Sequence, residues 1–199
     1  MKKHRSIFFL ILFLGLGVLS CKPIYKIFLG IKKSKVENYQ SVREIFKKYY
    51  QNTPGIVCVA KDSTSLFKIW EKIVSYPKTQ LFDKNGRMII TQDSGYCYAK
   101  AQEFALKLNK DDLYKIDSSF HLNELLYFIT PVDKGTTLSF TDFDFVFIGY
   151  WSASIGRGNK NVYEVANELN KHSDLKIIYL FVNLDVMEEW NCVSLKKSQ

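Results

Sequence analysis

Phe145-Val-Phe-Ile-Gly-Tyr-Trp151, the small-residue stretch Ser152-Ala-Ser-Ile-Gly-Arg-Gly158, and Leu175-Lys-Ile-Ile-Tyr-Leu-Phe-Val182 decide the fold. Phe143 to Trp151 has a continuous apolar centre, Phe145 to Ile148, as a strand covered on both faces requires. From Asn159 the pattern changes period. Val162, Val165, Ala166 and Leu169 fall on one side of a helix, with Asn159 as its cap. Leu175 to Val182 is a second buried strand, followed by Asn183-Leu184-Asp185. Strand, helix and strand at this spacing predict a parallel, right-handed βαβ unit.

Upstream, Ser41 and Glu44 fit a capping box for a helix with Val42, Ile45, Phe46 and Tyr49 on one face. Ile56 to Ala60 reads as a short buried strand. Asp62 to Thr64 offer caps to a helix that turns Leu66, Trp70, Ile73 and Val74 inward. Thr79 to Asp83 and Met88 to Thr91 flank Lys84-Asn85-Gly86-Arg87, where Asn-Gly supplies the positive φ angles of a tight hairpin. Tyr98 to Leu108 is a helix with Ala101, Phe104, Ala105 and Leu108 inward. Leu122, Leu125, Leu126 and Ile129 mark another, ended by Thr130-Pro131, and Asp133 to Thr137 is a loop. Trp70, Trp151 and Trp190 are all assigned to the core.

The βαβ stretch resembles the thioredoxin superfamily, in which an apolar strand ends in aromatic-Trp before a Cys-x-x-Cys loop and a helix. Tyr150-Trp151 take the aromatic-Trp place and Ile155-Gly156-Arg157-Gly158 the Cys-Gly-Pro-Cys place, so both cysteines are missing. Ser75 to Gly86 resembles the family's later stretch, in which a cis-proline, here Pro77, opens a strand before a Lys-Asn-Gly turn. The resemblance implies an α/β fold, a thioredoxin-like mixed sheet flanked by helices. Its hairpin half comes first, so the element order is permuted or duplicated. It also implies a degenerate active-site loop, Ile155, Gly156, Arg157, Gly158 and Pro77, as the binding surface.

Dithiol exchange needs a low-pKa thiolate and a second thiol to resolve the mixed disulfide, and Ile155 and Gly158 supply neither. Cys58 reads as a core residue, whereas Cys97 precedes a helix start and is the candidate for a reactive thiol. With Cys192 these allow one disulfide and one leftover thiol. Gly156 to Lys160 can hold an anion through backbone N–H groups and positive side chains, or stand as a solvated surface loop. His121 and His172 have no metal-ligand spacing, and no nucleophile elbow is present, so no metal, cofactor or catalytic residue is assigned.

The first residues concern location. Met1 to Arg5 is positive, and Ile7 to Leu19 is an apolar run of 13 residues. A membrane-spanning helix needs about 20, so the run fits a signal peptide. Val18-Leu19-Ser20-Cys21 resembles a bacterial lipobox, which implies acyl chains on Cys21 and, with Lys22 next, delivery to the outer membrane. The expected organisation is a signal over 1–20, a basic tether over 21–40 and one domain over 41–199. The chain has 199 residues, 47% hydrophobic and 24% charged, the make-up of a globular protein with one substantial core. Its net charge is +8; setting aside Lys2, Lys3 and Arg5 leaves 25 basic residues against 20 acidic ones. That mild excess does not suggest nucleic acid. Lys22, Lys26, Lys32, Lys33 and Lys35 crowd the proposed anchor and suit an anionic membrane surface. The expected function is a lipid-anchored, extracytoplasmic envelope protein whose redox-inactive domain binds a protein or small molecule. The alternative is a thiol oxidoreductase working through Cys97.

Overall fold

The computed structural model describes residues 31–50, 53–73, 78–91, 97–138, 140 and 142–190. In chain order these form α1 (Tyr39–Tyr49), β1 (Ile56–Ala60), α2 (Ser63–Lys72), β2 (Lys78–Asp83), β3 (Arg87–Ile89) and α3 (Tyr98–Leu106). There follow β4 (Ile116–His121), α4 (Leu122–Phe128), β5 (Ile129–Pro131) and β6 (Phe145–Trp151). A tight 3₁₀ segment, Ala153–Asn159, then leads into α5 (Lys160–Leu169) and β7 (Ile177–Asn183), and a last 3₁₀ turn spans Glu188–Trp190.

The protein is an α/β fold built on one seven-stranded mixed sheet, ordered β4-β3-β2-β6-β7-β1-β5. Three consecutive strands, β6, β7 and β1, run parallel. β2 lies antiparallel to β6, and β3, β4 and β5 are antiparallel to their neighbours. Side chains alternate along each strand, which divides the core in two. Phe145, Phe147, Trp151, Tyr179, Phe181, Val57 and Val59 face α1, α3 and α5. Val146, Ile148, Tyr150, Leu180, Val182, Cys58 and Ala60 face α2 and α4. All seven residues of β6 are buried, as its unbroken apolar run requires.

The arrangement is consistent with a thioredoxin-like core in permuted order. Its four strands β3-β2-β6-β7 combine the antiparallel hairpin with the parallel βαβ unit, and the hairpin comes first in the chain. Lys78, the first residue of β2, pairs with Tyr150, so β2 starts at the end of the sheet where β6 finishes. The start of the hairpin strand and the loop after β6 therefore share one end of the sheet. Pro77, Cys21 and Cys192 lie outside the described residues.

Several local expectations are corrected. α1 is capped by Asn38, whose side chain accepts from Ser41 N–H while Ser41 Oγ accepts from Asn38 N–H; Glu44 pairs with Gln40 instead. Only Gly86 in the hairpin turn has positive φ, because the turn is a three-residue loop closed by Gly86 N–H on the Asp83 carbonyl. α4 ends at Phe128, and Ile129-Thr130-Pro131 leaves it to pair with β1 as an edge strand. Trp70 is 46% exposed and Ile69 takes the inward place beside Leu66. Asn159 precedes α5 without capping it.

Candidate functional site

The loop after β6 is held from below by a buried polar cluster. Ser152, Asn159, Asn183 and Asp185 are all buried although every one is polar. β6 and β7 end side by side, which brings Ser152 next to Asp185, thirty-three residues later. The Asp185 carboxylate accepts from Ser152 Oγ–H, from Ala153 N–H at 2.7 Å and from Asn183 Nδ2 at 2.8 Å. Its own N–H donates to Asn183 Oδ1 at 3.0 Å. Asn159 closes the loop by accepting from Ser152 N–H at 3.2 Å and donating to the Ser152 carbonyl at 2.7 Å. Asn159 thus spends its side chain on the loop and has none left to cap α5. No basic side chain pairs with Asp185 among the described residues, and hydrogen bonds hold its carboxyl group in place.

Within that frame Ile155 to Gly158 fold back onto themselves. Ile155 is half-buried, Gly156 and Gly158 are buried, and Arg157 is exposed. Gly156 has φ of 56°, and a Cβ on Gly158 would meet Ile155 Cγ2 at 2.4 Å. The backbone path therefore leaves no room for a side chain at position 158 unless Ile155 gives way. The segment before α1 also reaches this loop. Lys32 N–H donates to the Ser154 carbonyl at 2.7 Å, and Glu37 bridges to Met187.

Comparison with family models, with curated proteins and with solved structures returns no match. The chemistry is therefore read from the residues. Neither Cys58 nor Cys97 is in a disulfide. Cys58 is fully buried in β1, and burial pushes its thiol up to about 12. Cys97 is exposed and stands at the N-cap of α3, as its sequence position suggested. The next residue, Tyr98, donates its hydroxyl to Glu164 of α5, so Cys97 and the start of α5 share one end of the helical layer.

Neither histidine joins the Ser152–Asp185 pair. His121 Nδ1 accepts from Asn123 N–H at the start of α4, and His172 Nε2 contacts the Ala105 carbonyl. No three His, Cys, Asp or Glu side chains converge on a metal-sized space among the described residues. No helix among them is long and apolar enough to cross a membrane. A separate cavity of about 470 Å³ lies at the opposite end of the sheet, between Asp83, Arg87, Asp111, Asp112, Tyr114 and Asp144. Its walls carry both signs of charge. The sequence reading named Ile155 to Gly158 but missed the Ser152–Asn159–Asp185 clamp and this cavity. The clamp's only sequence signal is three polar residues beside long apolar runs.

Proposed function

We propose that this chain is a membrane-anchored envelope lipoprotein whose thioredoxin-like domain binds its partner and performs no dithiol exchange. One observation carries the reading. The loop at the end of β6, beside the start of β2, has Ile155 and Gly158 at the two motif positions. A nucleophilic and a resolving thiol are both required for exchange, and this loop offers none. The Ser152–Asp185–Asn159 clamp keeps the loop in one shape, which suits a fixed binding surface better than a redox-cycling one. Arg157 is the side chain that the loop presents to solvent. The anchor is Cys21, at the end of the Val18-Leu19-Ser20 run, and it places the domain outside the cytoplasm, at the outer membrane.

Metabolic labelling with a fatty acid tests the anchor. The parent chain takes up label and Cys21→Ala does not; equal labelling rejects the proposal. The second reading, a thiol oxidoreductase using Cys97, draws on the exposure of that thiol at a helix start. Maleimide modification at neutral pH separates the two. Cys97 modified at the rate of an ordinary free thiol favours binding, and a rate about tenfold higher favours the oxidoreductase.

A further inference from the structure

The backbone contact between Lys32 and Ser154 lays the segment that leads back toward Cys21 against the loop that carries Arg157. Five exposed cations lie on the segments at this end of the sheet: Lys32, Lys33, Lys35, Arg157 and Lys160. Lys160 shares its charge with Glu164 at 3.1 Å. The other four have no ion-pair partner among the described residues. The nearby carboxylates lie further along, at the Glu37–Met187 bridge. Glu37 is engaged by Ser41 Oγ–H and Glu189 by Tyr39 N–H, and Glu188 follows the same bridge.

We propose that this end of the domain is the face that lies on anionic phospholipid headgroups. The proposal rests on the anchor reading above and names the partner of the same loop. Two features favour a membrane over a free partner. The four cations outside ion pairs outnumber the three carboxylates of the bridge, Glu37, Glu188 and Glu189, which suits an anionic leaflet, and a cation close to such a surface changes partitioning about fivefold. Residues 21–30 also precede the patch, and ten residues reach at most about 35 Å when extended. An anchor on Cys21 therefore holds these cations within one short tether of the headgroups. The thiol-free loop then points at the bilayer, and the cavity between Asp83 and Asp144 points away from it. The exposed aromatics of the opposite layer, Phe67, Trp70 and Tyr127, make the competing face. Most of the charge on its rim is paired, Lys68 with Glu71 and Lys72 with Glu124, and Lys61 sits over the Tyr127 ring as its one cation outside those pairs among the described residues.

The test is co-sedimentation of the chain from residue 21 onward, carrying Cys21→Ser, which retains every described residue and cannot be acylated. Vesicles of phosphatidylcholine alone are compared with vesicles holding about three parts in ten phosphatidylglycerol. The anionic vesicles bind at about 0.05 M salt and release at about 0.5 M, and the neutral ones do not bind. Arg157→Gln lowers partitioning about fivefold, and Lys32→Gln, Lys33→Gln and Lys35→Gln together lower it about a hundredfold. Phe67→Ser with Trp70→Ser leaves it unchanged. Binding equal on both vesicles, an Arg157→Gln chain that binds like its parent, or loss confined to the aromatic variant overturns the proposal. Because no acyl chain takes part, vesicle binding and fatty-acid labelling of Cys21 fail independently.

Discussion

Asp185 is buried, and its carboxyl oxygens accept from three donors, Ser152 Oγ–H, Ala153 N–H and Asn183 Nδ2. Replacing it with alanine takes the acceptor from Ala153 N–H and Asn183 Nδ2 in a dry place, each at a cost of the order of 1 kcal/mol or more, while Ser152 Oγ–H can turn to Ser154 Oγ at 2.7 Å. Asp185→Ala therefore destabilises the fold by about 2 kcal/mol, read as a fall in the urea midpoint, while Arg157→Ala, at an exposed position, changes it by less than about 0.5 kcal/mol. Equal effects of the two would contradict the clamp. At this scale the sequence was partly legible. Val162, Val165, Ala166 and Leu169 are buried as their spacing predicts, because a helical stripe is a local pattern. Ser152, Asn159 and Asp185 could not be paired from sequence, since only the meeting of two strand ends brings them together. Trp70 shows the reverse error: its size suggested core, yet Ile69 fills the inward place one residue earlier and leaves the indole outside.

The hairpin of β2 and β3 is the element most plainly written in the sequence, and its turn depends on Gly86. Its φ is +74°, and a Cβ there would come 2.5 Å from His121 Cε1, on the side chain that caps α4. Strain in the left-handed region and displacement of that ring act together, so Gly86→Ala costs about 2 kcal/mol. Near-identical midpoints for the parent and the variant would refute this. The elements that escaped the sequence are β4 and β5, the two edges of the sheet. β4 reads Ile-Asp-Ser-Ser-Phe-His and has one fully buried side chain, so it lacks the alternation that announces a half-buried strand. β5 continues the apolar spacing of α4 through Ile129, and only its pairing with β1 shows that the chain has left the helix. The cap of α1 moved for a related reason: Asn38 and Ser41 satisfy each other's N–H groups before Glu44 can reach back.

For the molecule as a whole, the sheet order places the hairpin beside the βαβ unit although the chain visits the hairpin first. The α/β class, the hairpin and the two core strands of the βαβ unit were legible because each half carries its own pattern. The positions of β1 and β5 were not, since strand order is a non-local property. Burial of ionisable side chains gives this core a pH limit. Cys58 rises from 9.0 to about 12 and Tyr179 from 10.0 to about 12, and burial pushes the Tyr50 and Tyr150 hydroxyls higher still. The unfolded chain loses these protons first, so stability is full below about pH 9 and falls as pH rises toward about 12. Cys58 alone accounts for roughly 2 kcal/mol by about pH 10.5, and a urea midpoint unchanged between pH 8 and pH 10.5 would speak against a neutral buried thiol. The central claim is that this thioredoxin-like arrangement binds without exchanging thiols, and reduction of insulin disulfides by dithiothreitol in the presence of the protein tests it most directly. The account predicts a rate equal to that of dithiothreitol alone for both the parent and Cys97→Ser; acceleration by the parent that disappears in Cys97→Ser would contradict it.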